Sequence, residues 1–417
     1  MKIKLPSQIF IALLLGILMG LLSQPFGFRS LITDHISVLG TIFLRALRMV
    51  IVPLIFSSIV SGVTSLSKAE SFGRLSLKTI IYYLTTSLIA IITGLFLVNI
   101  IQPGVKPGLK ERLGFENLPE DFTTNVEKLS DRLLEIIPTN PVEAMGKGDV
   151  LPIIFFALLF GFFISRVPEP YRHQLTDFFQ GIFMVMMRMT HFIIKFTPIG
   201  VFALVAKIVA QTSFAIFKPL AIYMVVVVLG LAIHAFLTLP SLMFFLGKID
   251  PLKQLHVMSA ALITAFSTAS SSATLPLTMD AMENKAGISN RISSFVLPLG
   301  STINMDGTAL YECVAVIFIA QIYGIDLTLG QQFTIVLLAL LVSIGAAGIP
   351  MAGLVMMTII LQAVHLPLEG VALILTVDRL LDMMRTAVNV WSDACGTAII
   401  AYSEGERELN VMIGSRH

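Results

Sequence analysis

Five polar residues near the carboxyl end of the sequence recur at helical spacing. They are Asp378, Asp382, Arg385, Asn389 and Asp393, at intervals of four, three, four and four residues. Such intervals align side chains along one stripe of an α-helix. Because the residues between them are mostly apolar, two interpretations are open: the stripe is the wet face of a surface helix, or it faces protein, water or ligand inside an apolar environment.

A second polar cluster interrupts an otherwise apolar stretch. The segment STINMDGTALYEC, residues 301–313, carries Asp306 and Glu312 between two runs without charge. Because an Asp-Gly pair favours a break in regular helix, we predict that the helix unwinds there and resumes with Thr308 and Glu312 on one face. The carbonyls freed for a cation would be those of Gly300, Thr302 and Asn304. Two structural alternatives stay open: Asp306 as a buried structural carboxyl, and Glu312 as a hydrogen-bonding partner of a neighbouring helix.

The two clusters hold more acids than bases. The acids are Asp306, Glu312, Asp378, Asp382 and Asp393, and the bases are Arg379 and Arg385. Five acids against two arginines leave three negative charges uncompensated, which an apolar interior tolerates only with protonation, bound cations or a ligand ammonium group. Sodium suits carboxylate and carbonyl oxygens, and a broken helix offers both. Arg385 and a spare aspartate on one stripe suit a zwitterion with an additional acidic group.

The elements that must position these residues have the composition of membrane spans. Of 417 residues, 56% are hydrophobic and 13% are charged, whereas a soluble domain carries about 25% charged residues. A bilayer crossing needs about 20 apolar residues, and long uncharged runs cover 5–28, 49–67, 79–105, 219–247, 257–279 and 327–368. The last run is too long for one helix and too short for two crossings, so we predict a re-entrant hairpin. The first run has no cleavage site, which favours a retained span.

Loop charges predict an orientation. Basic residues cluster at 2–4, 68–78 and 166–172, which would be cytoplasmic, whereas the acidic segment 102–130 would face outside. No basic cluster of the kind that binds nucleic acid is present in the sequence. We therefore expect a multi-pass protein of the cell (inner) membrane.

Two later segments have the same arrangement of apolar arms around a tip of small residues. They are SAALITAFSTASSSATLPLTM at 259–279 and LLVSIGAAGIPMAGLVMM at 340–357, and each precedes a helix that carries charge. Irregular backbone at membrane depth survives only where protein or a cavity satisfies it. Paired Gly- and Pro-interrupted segments in corresponding positions are typical of the binding site of a transporter.

Four motifs carry a resemblance to a known family. They are SSSATLPLTM (270–279), LPLGSTINMDGTALYE (297–312), SIGAAGIPMAG (343–353) and LDMMRTAVNVWSDACGTAI (381–399). Together they resemble the dicarboxylate/amino acid:cation symporter family, the glutamate/aspartate transporters, along nearly the whole chain, and the sequence is similar to proton/sodium-coupled prokaryotic members. The resemblance implies an all-α polytopic membrane protein with eight transmembrane helices, two re-entrant helical hairpins and inverted repeats. It also implies a homotrimer and elevator-type transport.

The same resemblance implies two domains in each protomer. A trimerisation scaffold would contain spans one, two, four and five, and a mobile transport domain would contain the other spans and both hairpins. The implied boundaries are scaffold at 1–71 and 130–214, transport domain at 72–105 and 215–405, extracellular loop at 106–129 and cytoplasmic tail at 406–417.

The resemblance also assigns substrate-binding roles. Arg385 matches the residue that pairs with the substrate side-chain carboxylate, Asp382 the acceptor of the amino group, and Asp378 an acid that supports the arginine. The other implied pocket residues are Ser270, Ser271, Ser272, Thr308, Gly353, Thr386 and Asn389. The family often supplies a further arginine near Asp382, but the matching positions are Ala269 and Met383. Arg379, one turn before Asp382, is a candidate replacement.

Cation-binding roles follow from the same match. One sodium site would comprise Gly300, Asn304, Asn389 and Asp393. A second would comprise Thr302, Ser343, Ile344 and Ala346, mainly through backbone carbonyls. A third would comprise Tyr83, Thr86, Ser87, Asn304 and Asp306. Glu312 matches the proton carrier of proton-coupled members, so the coupling ions expected are sodium, protons or both, with no cofactor.

The resulting functional prediction is import of L-glutamate or L-aspartate. The alternative is a C4-dicarboxylate symporter of the same fold, which the acid at Asp382 disfavours. An intramembrane hydrolase is disfavoured because the tip serines lack a nearby histidine and the sequence has no Gly-x-Ser-x-Gly elbow. A channel is disfavoured because aspartates and an arginine on one stripe form a binding site more readily than a pore ring. We therefore expect no enzymatic activity.

Overall fold

The chain folds almost entirely as helix in the computed structural model, which describes residues 5–23, 25–67, 73–105, 137–212, 217–344 and 352–414. Across these ranges the strand-like pairing consists of one isolated bridge between Ile249 and Met412. The prediction of an all-α protein is confirmed for this part of the chain.

The first half of the chain contributes seven described helices. They are α1 (Leu5–Leu22), α2 (Ser37–Ser67), α3 (Gly73–Ile101), α4 (Pro141–Lys147), α5 (Val150–Ile164), α6 (Tyr171–Ile194) and α7 (Thr197–Thr212). Helices α1, α2, α5, α6 and α7 pack into one group, which we call the first group. Close approach of α1 to α7 depends on Gly20, because a Cβ atom there would lie 2.7 Å from the Cβ of Val209. Helix α3 instead packs against helices of the second half.

The second half contributes the helices that surround the polar clusters. They are α8 (Phe217–Ile233), α9 (Pro251–Thr268), α10 (Ser271–Asp280), α11 (Asn290–Ile303), α12 (Asp306–Ile322), α13 (Leu329–Ile344), α14 (Ala352–Ala363) and α15 (Val371–Ser403). Helix α8 continues to Gly247 through two widened π-helical turns, His234–Thr238 and Met243–Gly247. Helix α12 is buried along nearly its whole length, in contact with α3, α8, α13, α14 and α15. We call α8 to α15 the second group.

The reversal between α9 and α10 occurs at Ala269 and Ser270, nearly two helical turns before Pro276. Ala269 adopts a left-handed conformation with φ of 51° and ends α9. The hydroxyl of Ser270 then accepts a hydrogen bond from the amide of Ala273 and caps α10. Pro276 lies inside α10 without ending it.

The break between α11 and α12 lies directly before the Asp-Gly pair that was expected to cause it. Asn304 and Met305 leave helical geometry, and α12 begins at Asp306, so Asp-Gly begins a helix where we predicted an unwound segment. An acid in the first turn is favoured there by the helix dipole. The Gly300 carbonyl accepts a hydrogen bond from the Asn304 amide at 2.9 Å, so in this conformation it is not free of helical bonding.

Three helical stretches among the described residues are long and apolar enough to cross a membrane, namely Arg74–Ile101, Phe217–Gly247 and Asn290–Ile322. Shorter apolar helices accompany them, including Pro152–Ile164 and Leu329–Ser343. Large apolar side chains on the outside of the protein are widely exposed, with Phe236 at 72% and Phe245 at 77%. Such surfaces are stable in lipid and unfavourable in water.

Candidate functional site

The polar stripe on α15 lies in the protein interior. The exposed fractions of Asp378, Asp382, Arg385, Asn389 and Asp393 are between 1% and 5%. The alternative of a solvent-facing helix therefore does not apply. Helix α15 contacts α8, α9, α11 and α12, and these helices enclose the stripe.

Arg385 lies between two acids and an aromatic ring. Its Nη2 atom is 2.7 Å from Asp382 Oδ1, and its Nη1 atom is 3.3 Å from Asp378 Oδ1. The guanidinium carbon lies 3.7 Å from the centre of the Tyr311 ring, and the Tyr311 hydroxyl donates to Asp378 at 2.6 Å. Nε and Nη1 have no hydrogen-bond partner among the described residues, although Nη1 belongs to the ion pair with Asp378. The arginine is thus held in place while two of its nitrogens can still bind a ligand oxygen.

Other predicted pocket residues lie next to this arginine. Asn389 donates to the Thr308 hydroxyl at 3.1 Å and accepts from the Gly307 amide at 2.8 Å. A Cβ atom on Gly353 would lie 3.1 Å from Thr308 Cγ2 and 3.2 Å from Arg385 Nη1. The start of α14 therefore lies against the guanidinium group. Any side chain at position 353 would press on Thr308 and Arg385, so a glycine suits this close approach.

The remaining predicted pocket residues differ in exposure. The Thr386 hydroxyl donates to the Asp382 carbonyl at 2.8 Å. Ser270 and Ser271 are buried at the reversal before α10, whereas Ser272 is exposed. Arg379 Nη1 lies 3.7 Å from Asp382 Oδ2. This second cation reaches the acid near which the family often has an additional arginine.

Four helices converge on the carboxylate of Asp306. Oδ1 accepts hydrogen bonds from Thr86 at 3.2 Å and Ser87 at 2.7 Å, both on α3. Oδ2 accepts from Ser392 of α15 at 2.6 Å and lies 3.0 Å from Nε2 of His234 in the π-helical turn after α8. The carboxylate is fully buried. Every group that contacts it through these bonds is a hydroxyl or an imidazole.

Sequence reasoning missed His234 and Ser392. A single histidine inside the apolar run 219–247 has no local signal, and Ser392 is distinguished only by its position beside Asp393. The Tyr83 hydroxyl donates to the carbonyl of Val296 at 2.7 Å, and its assignment to this site stays a prediction.

Asn304 connects the Asp306 region with Asp393. Its amide nitrogen donates to Asp393 Oδ1 at 2.8 Å and to the Ser392 hydroxyl at 3.1 Å. A Cβ atom on Gly300 would lie 2.5 Å from Asp393 Oδ1 and 2.7 Å from the Tyr83 hydroxyl. Asp306, Asn304 and Asp393, which were predicted to form cation sites, thus belong to one buried network that runs through Ser392.

The second predicted sodium site is only partly described. The Thr302 side chain is exposed and donates to the Leu299 carbonyl at 3.0 Å, and the buried Ser343 donates to the Leu340 carbonyl at 2.9 Å. Ile344 is the last residue of α13. Ala346 lies outside the described residues, so this assignment stays a prediction.

Glu312 lies in the middle of the core. Its side chain is fully buried on α12, and neither carboxylate oxygen has a hydrogen-bond partner in the described ranges of the chain. The alternative in which Glu312 hydrogen-bonds a neighbouring helix is therefore not seen. A buried carboxylate without donors is costly, whereas the neutral acid is tolerated.

The residues Gly146-Lys147-Gly148-Asp149 match the Gly-x-Gly-Asp motif of intramembrane aspartyl hydrolases in sequence. They do not lie in an apolar helix. Gly148 is the left-handed residue after α4, and the exposed Asp149 precedes α5. The quartet is a surface turn, which gives no support to a hydrolase.

The fold and the site define a multi-pass helical membrane transporter with a buried polar binding region. The profile of the sodium:dicarboxylate symporter family matches residues 5–403, and the chain belongs to this family. It is a transporter and not an enzyme.

Curated relatives are similar over nearly the whole chain. The proton/glutamate-aspartate symporter of Escherichia coli K12 is 37% identical over 407 residues, covering 96% of this chain and 93% of the relative. The proton/sodium-glutamate symport protein of Geobacillus stearothermophilus is 38% identical, covering 97% and 96%. Human excitatory amino acid transporter 3 is 38% identical, covering 93% and 83%.

Proposed function

We propose that this chain is a secondary-active symporter that imports L-glutamate or L-aspartate across the inner membrane with sodium ions, protons or both. The observation that carries the proposal is the pairing of Arg385 with Asp382 in a fully enclosed site, with two arginine nitrogens left without hydrogen bonds. The names of the bacterial and animal relatives, glutamate-aspartate symporters and excitatory amino acid transporters, support the same substrate class.

The two charges recognise the two ends of an acidic amino acid. Arg385 binds the side-chain carboxylate through its planar guanidinium, and Asp382 accepts the substrate ammonium group. In this conformation the two residues satisfy each other at 2.7 Å, so neither charge is left unpaired in the interior. When substrate binds, two ion pairs replace the pair between Arg385 and Asp382. Arg385 pairs with the side-chain carboxylate of the substrate, and Asp382 pairs with its ammonium group. The α-carboxylate then lies toward Thr308, Asn389 and the serines before α10.

Cations balance the acids that Arg385 does not reach. We propose that Asp306 and Asp393 are ligands of sodium ions, because both are buried and lie on one network with Asn304. Glu312 is proposed as the proton carrier. Its lack of hydrogen-bond donors supports a neutral, protonated form in this conformation.

The movement proposed is of the elevator type, within a homotrimer. The described pocket and cation residues all lie on α3 or among the helices of the second group, and the described residues of the first group include none of them. This supports a division into a scaffold and a transport domain near the predicted boundaries. The helix pairs α9–α10 and α13–α14 are proposed to be re-entrant hairpins, since small residues separate the two helices of each pair in the sequence.

A C4-dicarboxylate symporter is the second candidate, and Asp382 argues against it because a substrate without an ammonium group leaves this acid without its partner. Competition in proteoliposomes separates the two candidates. Excess L-aspartate is expected to block uptake of labelled L-glutamate far better than excess succinate. Stronger inhibition by succinate would refute acidic amino acids as the substrate class.

A further inference from the structure

His234 is a buried titratable residue that the proposed transport cycle does not use. It lies in a membrane-spanning helix, its side chain is fully buried, and its Nε2 atom is 3.0 Å from Asp306 Oδ2. The residue begins a π-helical turn, a distortion often found at functional positions. The next residue is fixed as well, because the Trp391 indole donates to the Ala235 carbonyl at 3.0 Å. Backbone and side chain at this turn are thus both anchored.

The surroundings of the His234 imidazole indicate which of its two nitrogens carries the proton. Among the described residues, the Nδ1 atom of His234 has no hydrogen-bond partner. A proton on Nδ1 would leave a buried donor unpaired and would turn the Nε2 lone pair toward the carboxylate oxygen. With the proton on Nε2, the ring donates to Asp306 and only a weak acceptor stays unpaired. We therefore assign the contact as a hydrogen bond from His234 Nε2 to Asp306 Oδ2.

The donors to Asp306 are divided between its two oxygens. His234 and Ser392 hold Oδ2, while Thr86 and Ser87 approach Oδ1. Two donors from different helices fix the rotation of the carboxylate about its own axis. Oδ1 is then held toward the α3 hydroxyls, which are oxygen ligands of the kind that sodium prefers.

We propose that His234 is a positioning residue for cation binding at Asp306, which sets the sodium affinity of the transporter without touching the ion. This inference rests on the proposed sodium site at Asp306. Its bond to Oδ2 keeps Oδ1 aimed at the ion position between α3 and α12. Metal sites commonly contain such residues, which do not touch the metal but hydrogen-bond to the side chains that coordinate it and so orient them.

A pair of amide substitutions tests the hydrogen bond itself. The amide nitrogen of glutamine lies about as far from the backbone as imidazole Nε2, whereas that of asparagine matches Nδ1 and falls short of Asp306. His234→Asn is expected to raise the sodium concentration for half-maximal L-aspartate uptake about tenfold, equivalent to about 1.4 kcal/mol. His234→Gln is expected to stay within about threefold of the wild type. His256→Asn, at an exposed position of α9, is the matched control with no expected change.

Two further readouts distinguish positioning from a merely structural role. At saturating sodium, the maximal rate and the KM for L-aspartate of His234→Asn should lie within about twofold of wild type. In purified protein without substrate, the rise in Tm between choline chloride and sodium chloride should require tenfold more sodium. A wild-type sodium response in His234→Asn, or equal impairment of His234→Gln and His234→Asn, overturns the proposal.

Ser392→Ala provides the test if His234→Asn does not fold, because it removes the other Oδ2 donor with little loss of volume. It is expected to raise the sodium requirement in the same direction, and an unchanged requirement overturns the anchoring of Oδ2. Failure of the proposed function has a different signature. Wild-type protein that transports no acidic amino acid refutes the proposed function, whereas transport with wild-type sodium affinity in His234→Asn refutes only the role of His234.

Discussion

Replacing Arg385 with cysteine removes the group proposed to bind the substrate side-chain carboxylate. Two of its nitrogens, Nε and Nη1, have no hydrogen-bond partner in the part of the chain that the structure describes, and the side chain is only 1% exposed. Hydrogen bonds to a charged group contribute about 1.5–3 kcal/mol each. Losing two such bonds therefore costs at least about 3 kcal/mol, or about a hundredfold in affinity.

The assay is the concentration dependence of L-aspartate uptake into proteoliposomes, with L-serine uptake measured in parallel. Arg385→Cys is expected to raise the KM for L-aspartate at least about a hundredfold and to improve L-serine uptake relative to L-aspartate. Arg379→Cys is the comparison, since Arg379 is on the same helix, is 29% exposed and approaches Asp382 only to 3.7 Å. Its effect should be below about tenfold.

The stability of the variant must be measured alongside its transport. Removing Arg385 leaves Asp378 and Asp382 without their buried cation, which typically costs about 3–5 kcal/mol, so Tm is expected to fall. A folded Arg385→Cys protein that keeps its KM for L-aspartate within tenfold of the wild type would refute the assignment of Arg385 to the side-chain carboxylate.

Two further predictions concern protonation. Glu312→Gln is expected to remove the dependence of uptake on an imposed pH gradient while sodium-driven uptake persists; unchanged proton coupling would exclude Glu312 as the carrier. Glu404, which follows the last helix, accepts hydrogen bonds from Lys78 and Arg74 that hold its pKa below the ordinary value. A depressed pKa stabilises the fold above the unfolded value of about 4.3, and this contribution is lost as pH falls through the lower folded value. Glu404→Gln should therefore lower Tm at pH 7 by more than it does at pH 3, and an equal effect at both pH values would contradict this linkage.

Helical spacing and charge counting predicted much of the site from sequence. The intervals from Asp378 to Asp393 predicted that these side chains share one helical face. The excess of acids over arginines predicted that protons, bound cations or a ligand ammonium group compensate their charge. The structure encloses all five residues of that stripe. These features are local, so neighbouring residues in the sequence carry the information.

Long-range pairings could not be predicted in this way. His234 is 72 residues from Asp306, and a lone histidine in an apolar run is as consistent with core packing as with a site. The helix break was predicted within NMDGT and lies there, but the Asp-Gly pair itself begins α12. The Asp-Gly pair has turn propensity, but an aspartate that begins a helix gains from the helix dipole and here from four donors on other helices. Tertiary contacts therefore moved the break to Asn304 and Met305.

The central claim is that this chain couples uptake of an acidic amino acid to a cation gradient. The most direct test is uptake of labelled L-aspartate into proteoliposomes that contain the purified full chain, with sodium and pH gradients imposed separately. Accumulation above the external concentration is predicted when a sodium gradient, a proton gradient or both are directed inward, and none when the gradients are absent. Equal uptake with and without the gradients, or accumulation of succinate in place of L-aspartate, would contradict the account.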